Sequence, residues 1–354
     1  MTAIEWTEET WNPTTGCTRI SEGCDHCYIE RTPPMRMAHR RFDGPQIGAS
    51  TGVLLHPDRL GKPLRWRSPR RVFVNSMSDL FHEDVPDGYI ARVWEVMAQA
   101  PQHTFQTLTK RPARMRSWLK RWHDNTGDET VKGAPLPRGP EAVRAVYSSP
   151  RARLFADMLD SMGEPPEGAA YPLYDWMEGP RWFPRPLPNV WLGVSVESQR
   201  WADIRIPQLL DTPAAVRWIS AEPLLGPVDI RRSHCPTHDF PGGMCTFSCP
   251  DRRRVDWVVA GGETGPGARP MHPDWARSLR DQCCQAGVPF FFKQWGDWAP
   301  VGVGMGIFRH PEKLVGPPLD DMGFRQIMRR VGKKAAGREL DGRTWDEYPG
   351  VVCP

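Results

Sequence analysis

The chain has 354 residues, a net charge of +4, and 38 prolines, 32 glycines and 16 tryptophans. That length excludes a peptide or a small disulfide module, and 39% hydrophobic with 25% charged residues excludes a disordered chain. Pro and Gly make up about a fifth of the residues, against about 12% in ordinary usage, which excludes a coiled coil and predicts many loops around compact elements.

The start, Met1-Thr2-Ala3-Ile4-Glu5-Trp6, lacks the basic and apolar run of a secretory signal, and no stretch approaches a membrane span. The expected compartment is the cytoplasm.

In chain order, residues 4–11 supply a first strand candidate. Residues 71–76 read as a strand, and residues 89–100 carry apolar positions at helical spacing. Residues 104–110 form the next strand, followed by a helix over 112–122 with Pro112 near its first turn. Residues 190–196 are a strand followed by a helix over 199–210, and 216–220 are another strand. Residues 255–260 are a strand, with a helix over 273–286 that stops at Gly287, and 288–293 are the last clear strand. Alternating strands and helices predict parallel βα units. The expected fold is α/β: a partial (β/α) TIM-like barrel of six or seven parallel strands over residues 1–300, with loop insertions. Residues 124–188 are Pro/Gly-rich and read as an insertion, 231–254 as a Cys/His insertion, and 301–354 as a C-terminal extension with basic helix-like pieces over 325–334. No GxGxxG follows a first strand and no GxxxxGK[ST] occurs, which argues against those nucleotide-binding modes.

Nine cysteines in a reducing compartment point to metal or redox chemistry before disulfides. Cys17, Cys24 and Cys27 lie within eleven residues on a loop bearing Gly16 and Gly23. Three thiolates can hold a [4Fe–4S] cluster with one iron open to a ligand. A zinc site is the other reading, with His26 or His39 as fourth ligand. In the second group, Cys235, His238, Cys245 and Cys249 suit a Cys3His zinc site beside Arg252, Arg253 and Arg254; an auxiliary iron–sulfur cluster or no metal are the alternatives. Cys283 and Cys284 read as buried apolar residues of a helix, and Cys353 as a free tail thiol. Residues 31–71 hold ten Lys/Arg against Asp43 and Asp58, which reads either as a solvated loop or as a phosphate-facing rim.

Functional side chains of a βα barrel gather at the C-terminal strand ends. Those ends offer Ser76 and Asp79, Thr109 and Lys110, Ser195 and Glu197, Ser220 and Glu222, Glu263, and Lys293 with Gln294.

Several motifs carry a resemblance. They are Trp11-Asn12-Pro13-Thr14-Thr15-Gly16-Cys17, Cys24-Asp25-His26-Cys27-Tyr28, Val190-Trp191-Leu192-Gly193-Val194-Ser195-Val196-Glu197, Ser220-Ala221-Glu222-Pro223-Leu224-Leu225-Gly226-Pro227, Gly261-Gly262-Glu263-Thr264-Gly265-Pro266, Ala268-Arg269-Pro270-Met271 and Phe290-Phe291-Phe292-Lys293-Gln294-Trp295-Gly296. With these the chain resembles the phage-associated three-cysteine-motif family, itself similar to the radical S-adenosylmethionine (SAM) enzymes. The resemblance implies a [4Fe–4S] cluster, SAM as partner, an external electron donor, and reductive SAM cleavage that starts radical chemistry. It departs from the usual radical SAM pattern in spacing: the first gap is six residues rather than three, and Tyr28 follows the last cysteine. Under it, Ser76 or Asp79 would accept the SAM amino group, Lys110 would meet its carboxylate, and Ser195 and Glu197 its ribose. Lys110, Glu222, Glu263 and Lys293 would carry the substrate chemistry. The basic stretches and the aromatic surplus favour nucleic acid or a nucleobase as substrate. The rival reading is a non-catalytic, metal-stapled nucleic-acid-binding or phage/defence partner protein.

Overall fold

The computed structural model describes residues 4–124, 186–232, 254–301, 311–319 and 321–350. Seven strands form one sheet: β1 (Glu9–Trp11), β2 (Arg71–Val74), β3 (Thr104–Thr109), β4 (Val190–Ser195), β5 (Val216–Ala221), β6 (Trp257–Gly261) and β7 (Phe290–Gln294). They are hydrogen-bonded in chain order and every pair is parallel. Among the described residues β1 and β7 do not pair, so the sheet is an open half-barrel. Crossover helices are α1 (Asp87–Gln99) after β2, α2 (Pro112–Asp124) after β3, α3 (Gln199–Leu210) after β4 and α4 (Pro273–Ala286) after β6. The barrel expectation therefore holds as a parallel half-barrel.

Local chemistry sets the element ends. β2 stops because Asn75 turns to φ 62°, a left-handed conformation that Asn tolerates better than most residues. α4 ends at Gly287, φ 64°, whose N–H caps the Cys283 and Cys284 carbonyls.

The sheet has two unlike faces. On the outer face Val72, Val74, Val194 and Ile219 pack against helix residues such as Val93, Met115, Ile206 and Leu279 in the main core. The inner face holds a separate cluster: Trp6, Phe73, Trp218, Trp257, Val259 and Phe291, with Trp191 and Tyr348 packed against it. Trp6 lies edge-on to Phe73 at 4.7 Å and to Trp218 at 5.1 Å. These rings fill the lumen because β4 yields space at Gly193: a Cβ there would stand 2.3 Å from Trp218 Cε2. Strand alternation then puts Ser220 and Glu222 on the same face as Trp218, and Lys293 on the face of Phe291.

The helix expected over 325–334 is a correction. Gln326–Arg330 is a strand, β10, between β8 (Trp298–Pro300) and β9 (Glu312–Val315) in an antiparallel sheet of order β8-β10-β9. Helix is confined to Lys333–Ala336. Met328 is buried in the main core while its neighbour Ile327 is exposed, a period-2 burial that the charged flanks conceal. The chain then returns to β7: Asp346 bridges Phe291, Trp345 O accepts from Phe292 N at 2.9 Å, and Glu347 Oε2 accepts from Phe290 N at 3.0 Å. The tail thereby covers a sheet edge that would otherwise expose unpaired amides.

No helix among the described residues is long and apolar enough to cross a membrane.

Candidate functional site

The loop after β1 carries Cys17, Cys24 and Cys27, all free thiols. It is fastened at both ends. Near its start, Gly16 N donates to Met77 O at 2.9 Å and Ser78 Oγ to Gly16 O at 2.7 Å. Further along, three clamps hold it. Ser21 Oγ donates to Glu197 Oε1 at 2.8 Å. Glu22 accepts from Ser198 Oγ (2.9 Å) and Trp201 Nε1 (2.7 Å). Arg269 reaches Asp25 at 3.1 Å and the Glu22 carbonyl at 2.8 Å, and is itself gripped by Glu263 through its backbone N, Nε and Nη2. His26 Nδ1 lies 3.0 Å from Glu263 Oε2.

The thiols lie close enough to act on one another electrostatically. Cys17 and Cys27 keep some exposed surface, yet protein surrounds them closely enough that burial pushes their pKa values up to about 12 and about 11. Asp79 adds to the rise at Cys17, and each of these two thiols is raised further by its cysteine neighbours. Arg111 works the other way, with Nη1 donating to Cys17 Sγ at 3.8 Å. Lys110 and Arg19 likewise favour the Cys27 thiolate. No group of three His, Cys, Asp or Glu side chains among the described residues is arranged to hold a metal ion. The donor set nevertheless fits a thiolate-bound centre: three soft ligands with cations beside them to offset charge, whose protons a metal would displace on binding.

Glu197 is fully buried between two cations. Lys110 Nζ pairs with Oε1, and Arg205 Nη1 donates to Oε2 at 2.7 Å. Burial alone would raise this carboxyl, but Lys110 and Arg205 outweigh it and hold it at about 2. Asp79 is equally committed: Thr109 Oγ1, Lys110 N, Phe81 N and Arg111 Nη1 all donate to it. Glu263 would also rise with burial, and Arg269 holds it below the usual carboxylate range. Ser76 Oγ engages Asn12, whose Oδ1 also accepts from Met77 N at 2.9 Å. Ser195 is buried and gives its carbonyl to Arg205. Glu222 and Lys293 form their own pair at 2.9 Å, with Ser220 Oγ on Glu222 at 3.1 Å.

The structure thus divides the expected residues. Lys110 and Arg205 meet on Glu197, and Arg205 also holds the Ser195 carbonyl. Glu263 joins Arg269 and His26. Glu222 and Lys293 stand as a separate pair. Cys235, His238, Cys245 and Cys249 lie outside the described residues, as do Arg252, Arg253 and Cys353. Cys283 is buried as expected, but Cys284 is exposed, because adjacent helix positions point apart. Of the basic stretch, Arg31, Arg36, Arg41, Lys62, Arg65 and Arg67 are exposed, whereas Arg40 is turned inward onto the Thr51 carbonyl.

The family described as "Protein of unknown function (DUF5131)" matches residues 1–349. The chain belongs to it. No curated protein and no solved structure matches. In this DUF5131 chain the sequence did not disclose the clamping role of two residues. Arg205 shares the apolar stripe of α3 with Ala202, Ile206 and Leu209. A cation in such a stripe is itself a signal of a buried partner. Arg269 sits inside Ala268-Arg269-Pro270-Met271, with no local feature that names Glu263 as its partner.

Proposed function

We propose that this chain is a radical SAM-type iron–sulfur enzyme, akin to the phage-associated three-cysteine-motif proteins, acting on nucleic acid or a nucleobase. The observation that supports the reading is the clamped loop: three mutually interacting thiols on the loop that leaves the first strand of a parallel half-barrel, at the strand ends where such folds keep their chemistry. Cys17, Cys24 and Cys27 would hold a [4Fe–4S] cluster. When bound, that cluster supplies the electron that cleaves the SAM sulfonium.

The chain's own residues then fall into roles. Lys110, Arg111 and Arg19 offset thiolate charge. Glu197, Asp79 and Glu263 have their oxygens committed to protein donors, so they are positioning residues that fix the loop. Ser76 is a better candidate than Asp79 for the SAM amino group, since Asp79 is the more heavily committed acceptor. Glu222 and Lys293 are fitted to a substrate or to SAM. Both are partly exposed, at 14% and 17% of the side chain, and a polar ligand can exchange with their ion pair. Exposed Tyr28, followed along the chain by exposed Arg31, Arg36 and Arg41, suits a base and its phosphates.

The test is anaerobic reconstitution with iron and sulfide, then incubation with SAM and a strong reductant. Wild type is expected to be brown, to bind about four iron at the Cys17/Cys24/Cys27 site, and to release 5′-deoxyadenosine. Cys24→Ala is expected to lose both. A colourless protein carrying zinc alone would sink the reading in favour of a binding module. A brown protein inert to SAM would retain the cluster and remove the radical mechanism.

A further inference from the structure

One ion pair at the mouth is not absorbed by the clamps. Asp79 and Glu263 each hold four polar partners, and Glu197 is fully buried with three. Glu222 takes two among the described residues, Lys293 Nζ at 2.9 Å and Ser220 Oγ at 3.1 Å. A carboxylate has about four acceptor positions, so about two remain. Both members of the pair are partly exposed. They meet because β6 is bare between them. Ala221, Ala260 and Phe292 stand side by side in the sheet, and Glu222, Gly261 and Lys293 each follow one residue later. A Cβ on Gly261 would stand 2.9 Å from Glu222 Oε1 and 3.4 Å from Lys293 Cβ. Gly261 thus lets a carboxylate and an ammonium pair across an intervening strand. Tyr28 supplies a neighbouring ring. Its hydroxyl donates to the Ser76 carbonyl, while about half of the residue stays exposed. Enclosure of that hydroxyl, then the charges of Cys27 and Glu222, raise its pKa, so the phenol stands within reach of the Glu222 carboxylate.

We propose that the Glu222–Lys293 pair recognises the Watson–Crick edge of a guanine base. The inference rests on the nucleobase reading above and names the base. Guanine presents N2–H and N1–H as neighbouring donors and O6 as the next acceptor. A carboxylate with acceptor positions to spare, beside an ammonium with N–H groups to spare, meets all three. Adenine offers one donor and one acceptor along the same edge. Cytosine, thymine and uracil each offer a single donor group. The bonded pair is also neutral as a whole. A neutral base docks along it with the ion pair intact, whereas a ligand carrying its own ammonium and carboxylate has to break the pair first. Enzymes that act on a base read it at this edge and stack it on an aromatic side chain, and Tyr28 is the exposed ring near Glu222.

The experiment is calorimetric titration of the reconstituted full chain with guanosine, inosine and adenosine 5′-monophosphates, without SAM or reductant. The three share ribose and phosphate, so their differences report the base alone. The guanosine nucleotide is expected to bind about tenfold tighter than the inosine one, which lacks the N2 amine, and about a hundredfold tighter than the adenosine one. Glu222→Gln replaces one acceptor oxygen by a donor and is expected to abolish the preference for guanosine over adenosine. No binding of the guanosine nucleotide, or equal affinities for all three, would overturn the proposal. So would a wild-type guanosine preference in Glu222→Gln. If that variant fails to fold by circular dichroism, the wild-type series decides alone. Release of 5′-deoxyadenosine is measured separately. Failure of the base ranking therefore leaves SAM cleavage standing, and a chain inert to SAM that still ranks the nucleotides keeps the base site.

Discussion

Along the inner face of the sheet each strand changes character within a few residues. β5 passes from Trp218 to Ser220 and Glu222, and β7 from Phe291 to Lys293. The aromatic floor is dry and packed ring against ring. The mouth is polar, and most of its charges are fastened to other charges. The floor is held by area removed from water; the mouth by desolvated ion pairs, which stabilise only while both partners remain. Damage to the floor should therefore appear as lost stability, and damage to the mouth mainly as a loosened cysteine loop.

The sharpest test of the floor is Trp218→Ala, which empties the centre of the cluster. It is expected to cost about 5 kcal/mol in urea unfolding, while iron bound per folded chain stays at the wild-type level. A matching loss of iron would show that floor and mouth are one unit. Glu197→Gln probes the exception, a mouth residue as buried as the floor. Removing one partner of a buried pair costs about 3 kcal/mol. Glu197 is held at about 2, below its ordinary 4.5. Its contribution is therefore present above pH 4.5 and is lost as pH falls from there toward 2. That segment of the stability–pH curve should flatten in the variant.

Arg269→Ala goes the other way. Arg269 is partly exposed, so the stability loss is expected to be only about 1–2 kcal/mol. The cysteine loop, however, loses its link to Glu263. Alkylation of buried Cys24 by a thiol reagent should accelerate about tenfold, the equivalent of 1.4 kcal/mol in loop opening. Unchanged alkylation would remove Arg269 as a positioning residue. The smallest effect belongs to a carboxyl outside both regions. Burial of Glu95 on α1 raises it to about 7 from 4.5. The folded state holds that proton better than the unfolded one, so stability falls as pH rises from 4.5 through 7. Glu95→Gln should remove this slope and gain about 1 kcal/mol at pH 8.

The βα frame was legible because each strand is a short apolar run and each helix an amphipathic one, signals that need only local residues. Gly287 and Pro112 punctuated the helices for the same reason. The clamps were not legible. Ser21 meets Glu197 and Arg269 meets Asp25 across nearly the whole domain, and nothing beside either residue names its partner. The strand-end carboxylates could be read from the sequence as polar groups at the mouth, but the residues they hold came only from the geometry. Arg325 to Lys334 misled because its charges hide the single inward Met328. The floor was half visible, since Trp191, Trp218 and Trp257 recur in successive strands, whereas the space opened by Gly193 depends on the Trp218 ring opposite it on the neighbouring strand.

The return of the tail to β7 has a consequence for how the molecule is made. Strand order follows chain order, so each βα unit can dock on the one before it as the chain is synthesised. The floor cannot be finished that way. Trp257 Nε1 donates to the Glu347 carbonyl at 2.8 Å, and Tyr348 stacks on Trp257 at 5.3 Å. Those partners follow all seven strands of the half-barrel in the chain. Until they arrive, an indole donor in the middle of the lumen goes unsatisfied and the edge of β7 stays open to other strands. The nascent half-barrel is thus a sticky intermediate until residues 345–348 dock on it.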